Sequence, residues 1–290
     1  MNYTPMSHFN IFINLTRLNK PIGYMLLFWP CGWGLAYAYS IEKNLSQFLY
    51  FLLLFFLGAI LMRSAGCIVN DIVDKDIDKK VKRTKNRPLA SNLITVKLSL
   101  AYTFVLCGLA FLVLIQFNKL TIILGFASMV LAFSYPYMKR ITYWPQFFLG
   151  LTFNWGIVMA WAAVNNNISA EIIILYISAI FWTLGYDTIY GAQDVTDDEI
   201  IGVKSTSIKF KNNIKLFVSF CYFVSSALIV FLFYNKLGLN NFTLLMTIYI
   251  LSLMYQIVKF KKNNPNECLK AFKINNYSGL FLFLGISLIN

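Results

Sequence analysis

The aspartates of this 290-residue chain are confined to two short windows, from 71 to 78 and from 187 to 198. The windows hold all eight aspartates: Asp71, Asp74, Asp76, Asp78, Asp187, Asp194, Asp197 and Asp198. Carboxylates crowded in this way repel one another, so each window requires counter-ions. Mg²⁺ commonly combines one or two carboxylates with phosphate oxygens. Two such windows facing each other are therefore suited to binding a diphosphate through bridging Mg²⁺.

Helical periodicity groups most of these carboxylates on one side of each window. At about 100° per residue, the first window shares one face: Arg63, Cys67, Asn70, Asp71, Asp74 and Asp78. Asp187, Gly191, Asp194 and Asp198 share a face in the second window, with Asp197 on its flank. Asp76 points away from its window, and we predict that Asp76 and Glu199 are solvated charges.

The composition indicates where these windows lie. Hydrophobic residues make up 58% of the chain and charged residues only 13%, against roughly 25% charged in average soluble domains. A soluble enzyme is therefore excluded. The net charge of +13 is expected to face the anionic surface of a membrane and not a nucleic acid.

Nine stretches approach the length of about 20 mostly apolar residues that a bilayer span needs. They lie at about 21–40, 48–69, 96–116, 120–138, 145–164, 171–190, 215–234, 242–260 and 272–289. Their apolar runs lack the alternation of a transmembrane barrel, which favours helices. We predict an all-α polytopic membrane protein with nine transmembrane helices, forming a single domain over 1–290.

The basic residues predict the orientation of these spans, because cytoplasmic segments carry an excess of Lys and Arg. With the N-terminus in the cytoplasm, 21 of the 25 basic residues fall in cytoplasmic segments. Both aspartate windows follow even-numbered spans, so both are predicted at the cytoplasmic surface, and the C-terminus on the other side.

The two windows also resemble each other. Asn70-Asp71-x-x-Asp74 matches Gln193-Asp194-x-x-Asp197 at an offset of 123 residues, which covers four spans. Parallel repeats place equivalent motifs on the same side of a membrane. We therefore predict two pseudo-repeated four-helix halves and one extra helix.

Several motifs along the chain resemble those of a known family. Residues 70–78, Asn-Asp-Ile-Val-Asp-Lys-Asp-Ile-Asp, fit the NDxxDxxxD signature of the intramembrane prenyltransferases of the UbiA superfamily. Other motifs resemble its 4-hydroxybenzoate polyprenyltransferase branch: Lys20-Pro-Ile-Gly23, Lys82-Arg-Thr-x-Asn-Arg87, Tyr135-Pro-x-x-Lys-Arg140, Tyr186-Asp-Thr-x-Tyr190, Gly202-x-Lys-Ser-Thr206 and Asn275-Asn-Tyr-x-Gly279.

The resemblance implies an enzyme of ubiquinone biosynthesis in a bacterial or mitochondrial inner membrane. Such an enzyme attaches the chain of a polyprenyl diphosphate to the ring of 4-hydroxybenzoate, ortho to the hydroxyl, and releases diphosphate with the help of Mg²⁺. Asp71, Asp74, Asp78, Asp187, Asp194 and Asp198 are then the expected catalytic residues. Together with Asn70 and Asp197 they are also the expected Mg²⁺ ligands.

Basic and aromatic side chains are expected to complete the site. We predict substrate-binding roles for Asn70 and for five basic residues: Arg63, Lys139, Arg140, Arg17 and Lys204. Arg83 and Arg87 are weaker candidates, because their basic run also suits a membrane surface. Six aromatic residues could line the channel for the prenyl tail or stabilise an allylic cation: Tyr24, Phe28, Trp29, Phe153, Trp155 and Trp161.

Three other functions compete with this interpretation. The same scaffold could prenylate a different aromatic compound or haem. A CDP-alcohol phosphotransferase is also rich in aspartate, but no Asp-Gly and Ala-Arg run follows Asp71 or Asp194. A cation carrier would use intramembrane carboxylates, but carrier sites lie near the middle of the bilayer, whereas these windows lie at the ends of spans.

Overall fold

The computed structural model describes residues 7–289, and in this range the regular structure is entirely helical. Its α-helices are α1 (His8–Thr16), α2 (Ile22–Glu42), α3 (Leu45–Val73), α4 (Lys75–Asp78), α5 (Val96–Leu114), α6 (Lys119–Ile141), α7 (Pro145–Asn165), α8 (Ala170–Gly191), α9 (Val195–Ile201), α10 (Thr206–Lys209), α11 (Ile214–Leu232), α12 (Asn241–Lys259), α13 (Pro265–Lys273) and α14 (Asn275–Ser287).

Seven of these helices are long and apolar enough to cross a membrane: α3, α5, α6, α7, α8, α11 and α12. Helices α2 and α14 occupy the places of the predicted first and ninth spans. Glycine, proline, tryptophan and tyrosine lower the mean hydropathy of α2, and α14 has only 13 residues because a break at Ile274 separates it from α13. The all-helical membrane fold is confirmed, whereas the count of nine spans is not.

The helices pack in the same order in the two halves of the chain. In the first half α3 packs between α2 and α5, and in the second half α8 packs between α7 and α11. Helix α2 also packs on α7, and α14 packs on both α12 and α2. The extra helix α14 therefore closes the arrangement between the end of the second half and the start of the first.

The same break in the backbone follows the second long helix of each half. Asp74 separates α3 from α4 and Asp194 precedes α9, with φ, ψ angles of −95°, 4° and −114°, 6°. In both places the carbonyl oxygen accepts a hydrogen bond of 2.8 Å from the amide four residues later, at Asp78 and Asp198. The structure thus pairs Asp74 with Asp194, which corrects the predicted offset of 123 to 120 residues.

Residues 79–95, named here the cap segment, fold over the end of α3 that carries the first window. The segment has turns and no long helix, but Leu89 and Ile94 are buried. They pack in one apolar cluster with Ile11 and Leu15 of α1 and with Ile68 of α3. This packing holds the charged side chains of the cap segment above the aspartates.

Candidate active site

The first aspartate window forms a buried group of carboxylates at the end of α3. Asp71 and Asp74 are each 1% exposed and Asp78 is 5% exposed. The side chain of Asp76 is 89% exposed and pairs with Lys79, as predicted for a solvated charge. Burying carboxylates in this way is costly unless they are paired, so their partners define the site.

Cations from three separate segments pair with the buried carboxylates. Arg17 pairs with Asp71, and Arg87 of the cap segment bridges Asp71 and Asp78 through Nη1, at 3.1 Å and 2.7 Å. Lys139, in the last turn of α6, pairs with Asp74. Arg17 ends α1 in a left-handed conformation, with φ 57°, which is uncommon for a residue with a side chain.

Two carboxylate oxygens in this group accept no hydrogen bond although they are buried: Asp71 Oδ2 and Asp74 Oδ1. Burial raises the pKa of Asp74, and the positive charge of Lys139 opposes that rise. Buried polar atoms normally have a partner. Free carboxylate oxygens are the ligands that a hard cation such as Mg²⁺ takes.

The second window faces the cap segment. Arg83 binds Asp194 with both arms of its guanidinium, through Nε to Oδ1 at 2.9 Å and Nη2 to Oδ2 at 2.6 Å. The guanidinium of Arg83 also lies over the ring of Tyr190, 5.4 Å from its centroid. The backbone amide of Lys82 donates to Asp197 at 3.2 Å. The cap segment of the first half therefore contacts the carboxylates of the second.

The positive charge of Lys139 acts on carboxylates of both windows, Asp74 in the first and Asp198 in the second. Burial and the neighbouring Asp194 carboxylate raise the pKa of Asp198 to about 6, while Lys139 lowers it. Because Lys139 pairs with Asp74, its ammonium acts on both windows at once. Glu199 pairs with Lys211 at the surface, which agrees with its predicted role as a solvated charge.

Asp187 lies deeper in the bundle than the rest of its window. It lies four residues, about 6 Å, before the end of α8 at Gly191, whereas Asp194 follows that helix. Asp187 lines the same cavity as Arg63 of α3. The Arg63 guanidinium also lies 5.4 Å from the centroid of Phe153. Asp187 therefore lies deeper than the rest of its window and shares the cavity with Arg63.

A cavity of about 1530 Å³ extends from the cap segment to Arg63 and Asp187. Small-molecule sites are typically about 300–1,000 Å³, so this cavity suits a longer ligand. Its polar end includes Arg17, Asn70, Arg87, Arg63 and Asp187. Its remaining wall is formed mostly by apolar side chains of α3, α5, α6 and α7.

Residues 27–283 match the model of the UbiA prenyltransferase family. The chain belongs to the UbiA prenyltransferase family. It is 41% identical over 289 residues to a 4-hydroxybenzoate octaprenyltransferase of Aliivibrio fischeri (strain MJ11), an alignment that covers 97% of each chain. A mitochondrial 4-hydroxybenzoate polyprenyltransferase of Drosophila pseudoobscura pseudoobscura is 41% identical over 290 residues, covering 96% of this chain and 70% of that protein.

Solved structures of UbiA homologues share the fold. The apo structure of a homologue from Aeropyrum pernix K1 has a TM-score of 0.76 and 20% identity, covering 91% of this chain and 97% of that one. A homologue from Archaeoglobus fulgidus bound to GPP and Mg²⁺ has a TM-score of 0.72 and 17% identity, covering 96% and 99%. The protein is thus a membrane-embedded prenyltransferase of the UbiA prenyltransferase family.

The remaining predicted residues of this UbiA family member are not all in the site. The side chain of Lys204 binds the backbone and not a carboxylate of the windows: its Nζ donates to the Ile141 carbonyl at 3.2 Å. Arg140 is 3.9 Å from Asp74 and donates to the Val73 carbonyl at 2.7 Å. Of the six predicted aromatic residues, Phe153 and Trp155 line the cavity; Tyr24, Phe28, Trp29 and Trp161 are not among its lining residues.

Arg83 and Arg87, predicted only as weaker candidates, have a larger place in the site. Both bind carboxylates of the windows, although their basic run also suited a membrane surface. The resemblance already contained a signal for them, because both arginines belong to the motif at 82–87.

Proposed function

We propose that this protein transfers a polyprenyl group from polyprenyl diphosphate to the ring of 4-hydroxybenzoate, ortho to the hydroxyl, and releases diphosphate in ubiquinone biosynthesis. One observation carries the proposal. Cations bind the carboxylates of both windows, and Arg17, Arg83 and Arg87 among these cations line a long cavity with a mostly apolar wall. The names of the curated relatives supply the acceptor.

The donor diphosphate is proposed to bind between the two windows. Asn70, Asp71, Asp74 and Asp78 would hold one Mg²⁺, and Asp194, Asp197 and Asp198 a second. Within residues 7–289 no cluster of three or more metal-binding side chains is preformed. Mg²⁺ needs no such cluster, since it combines few carboxylates with phosphate oxygens and water. Bound Mg²⁺ would neutralise the charge that develops on the leaving diphosphate.

The cations of the site are proposed to contribute to the same neutralisation. Arg17, Arg83, Arg87 and Lys139 are held at the windows by the carboxylates that they pair with. Arginine presents a planar fork that fits phosphate oxygens. When the allylic C–O bond breaks, its electron pair leaves with the diphosphate, and these donors are in place to bind it.

The acceptor is proposed to bind deeper in the cavity, where Arg63 and Asp187 line it. The Arg63 guanidinium would bind the carboxylate of the acceptor, as an intramembrane arginine in a cavity is a functional residue by default. The phenol ring then attacks the allylic carbon, and the ring carbon that forms the new bond loses its proton. The apolar wall excludes water, which would otherwise convert the allylic cation to an alcohol.

The orientation of the chain in the membrane is inferred from the distribution of its basic residues. We propose that the N-terminus, both windows and the cap segment lie on the cytoplasmic side of an inner membrane, where the positive-inside rule places most of the basic residues.

A direct assay tests the proposal. Membranes containing the protein are incubated with an allylic prenyl diphosphate and 4-hydroxybenzoate, and the products are analysed by mass spectrometry. We expect prenylated 4-hydroxybenzoate from wild type and from Glu199→Ala, and none from Asp71→Ala or Asp194→Ala. Diphosphate release without this product would reject the acceptor, and a panel of homogentisate, dihydroxynaphthoate and haem would identify another. Ion flux in vesicles without any turnover would favour the carrier.

A further inference from the structure

Three glycines that line the cavity border open space: Gly66 nearer the first window, and Gly58 and Gly108 deeper in the apolar wall. Gly58 lies on α3 and Gly108 on α5, and both line the cavity. A Cβ built on either residue meets no heavy atom within 4 Å. At Gly34, in comparison, it would lie 2.5 Å from the carbonyl oxygen of Ile157. Close packing of helices therefore explains Gly34 but not Gly58 or Gly108.

Glycine inside a helix lowers the stability of that helix, so these two positions have a cost without a packing benefit. They lie at similar depths. Gly58 is about 22 Å from the end of α3 that carries the first window, and Gly108 is about 18 Å from the neighbouring start of α5, at 1.5 Å per residue. Both distances place them far from the reacting carbon of a donor whose diphosphate is bound at the windows.

The wall around the two glycines is apolar and reaches the lipid. Leu54 and Phe55 of α3 and Phe104 and Phe111 of α5 line the same part of the cavity. Phe104 is also 81% exposed. Helix α5 packs mainly on α3, and α6 packs mainly on α7, so α5 and α6 make little contact with each other. The cavity is therefore open towards the bilayer beside Gly108.

We propose that Gly58 and Gly108 determine the longest prenyl donor that the enzyme accepts, because their missing side chains keep the passage for the tail wide. This inference rests on the proposed function. The diphosphate is fixed at the windows, so a short tail ends before it reaches the two glycines. A long tail must pass them. A large side chain at either position obstructs only the long donor.

The test compares two donors in the same variants. Gly58→Leu and Gly108→Leu are assayed with geranyl diphosphate and with an octaprenyl diphosphate, and kcat/KM is measured for each. We expect the ratio of long to short donor to fall by at least about tenfold, which corresponds to about 1.4 kcal/mol. Unchanged turnover of the short donor shows that the variants fold. Gly58→Ala and Gly108→Ala, which add one methyl group, are expected to lower the ratio less.

A matched control adds bulk to the same helix at a position that does not line the cavity. Val105 of α5 is exposed and does not line the cavity, so Val105→Phe is expected to keep the wild-type ratio. An unchanged ratio in both leucine variants, or an equal loss with both donors, overturns the role in donor length and leaves the proposed function intact. Absence of turnover with either donor in the wild type instead rejects the proposed function.

Discussion

Arg83 and Asp194 form a two-armed ion pair that joins the two halves of the protein above the cavity. Arg83 belongs to the cap segment of the first half, and Asp194 begins the short helix of the second. The side chain of Arg83 is 39% exposed, whereas that of Asp194 is only 13% exposed. Arg83 therefore covers Asp194 on the water side.

Removing this pair is expected to impair the reaction. Hydrogen bonds to charged groups contribute about 1.5–3 kcal/mol, so Arg83→Gln should lower kcat/KM for the prenyl donor by about 10- to 100-fold. Steady-state kinetics with varied donor measures this effect. Lys79→Gln is the matched control, because its pair with Asp76 in the neighbouring turn is exposed and such pairs contribute little. Equal loss in both variants would contradict a specific role for Arg83.

Asp74 is expected to have a structural role and a chemical role that can be separated. Asp74→Asn leaves Lys139 without its partner, and breaking a buried pair costs about 3–5 kcal/mol of stability. The double variant Asp74→Asn, Lys139→Gln should recover most of the stability in detergent but none of the prenyl transfer. Thermal unfolding and product formation measure the two roles. The side chain of Asp76 is 89% exposed, so Asp76→Asn should change neither the stability nor the prenyl transfer. Recovery of activity in the double variant would argue against a metal-binding role for Asp74.

Much of this site could be predicted from the sequence because carboxylates are conspicuous in an apolar chain. The two windows, and the solvated positions of Asp76 and Glu199, follow from residue types and helical periodicity alone. The repeat offset was wrong because the Asn-Asp and Gln-Asp pairs match locally. The equivalence of Asp74 and Asp194 depends on the backbone break instead.

Other features of the site depend on tertiary structure. A helical face predicts direction but not depth, so Asp187 was grouped with Asp194 although Asp187 lies inside α8, about 6 Å before its end, and Asp194 follows the helix. The partners of Arg83 and Arg87 depend on the path of the cap segment. That path is fixed by the burial of Leu89 and Ile94 against α1 and α3, which no local pattern reveals.

Removal of the metal is expected to stop donor ionisation. One buried oxygen of Asp71 and one of Asp74 accept no hydrogen bond, and the diphosphate brings more negative charge to them. Treatment with EDTA should therefore abolish both diphosphate release and prenyl transfer, and added Mg²⁺ should restore both. Phosphate analysis and mass spectrometry follow the two products. Full turnover in EDTA would show that Arg17, Arg83, Arg87 and Lys139 suffice without a divalent cation.

Arg63 is expected to act on the acceptor and not on the donor. It lines the cavity together with Asp187 and lies eight residues, about 12 Å, along α3 from Asp71. A hydrogen bond to a charged group contributes about 1.5–3 kcal/mol. Arg63→Gln should therefore raise KM for 4-hydroxybenzoate by about 10- to 100-fold and leave KM for the donor unchanged. For 4-hydroxybenzyl alcohol, an acceptor without the carboxylate, the same substitution should raise KM much less. A higher donor KM in this variant would place Arg63 at the diphosphate instead.

Gly34 is expected to be required for the contact between α2 and α7. A Cβ at this position would lie 2.5 Å from the carbonyl oxygen of Ile157 and 3.1 Å from Cβ of Ala160, and backbone atoms cannot yield as a side chain can. Overpacking of this kind costs about 1–3 kcal/mol, so Gly34→Ala should lower the midpoint of thermal unfolding in detergent. Gly66→Ala is the matched control in α3, because a Cβ there meets no atom within 4 Å. The control should unfold like the wild type, and its helix should if anything be stabilised, since alanine favours helix over glycine. An unchanged midpoint in Gly34→Ala would mean that α2 and α7 can move apart without loss.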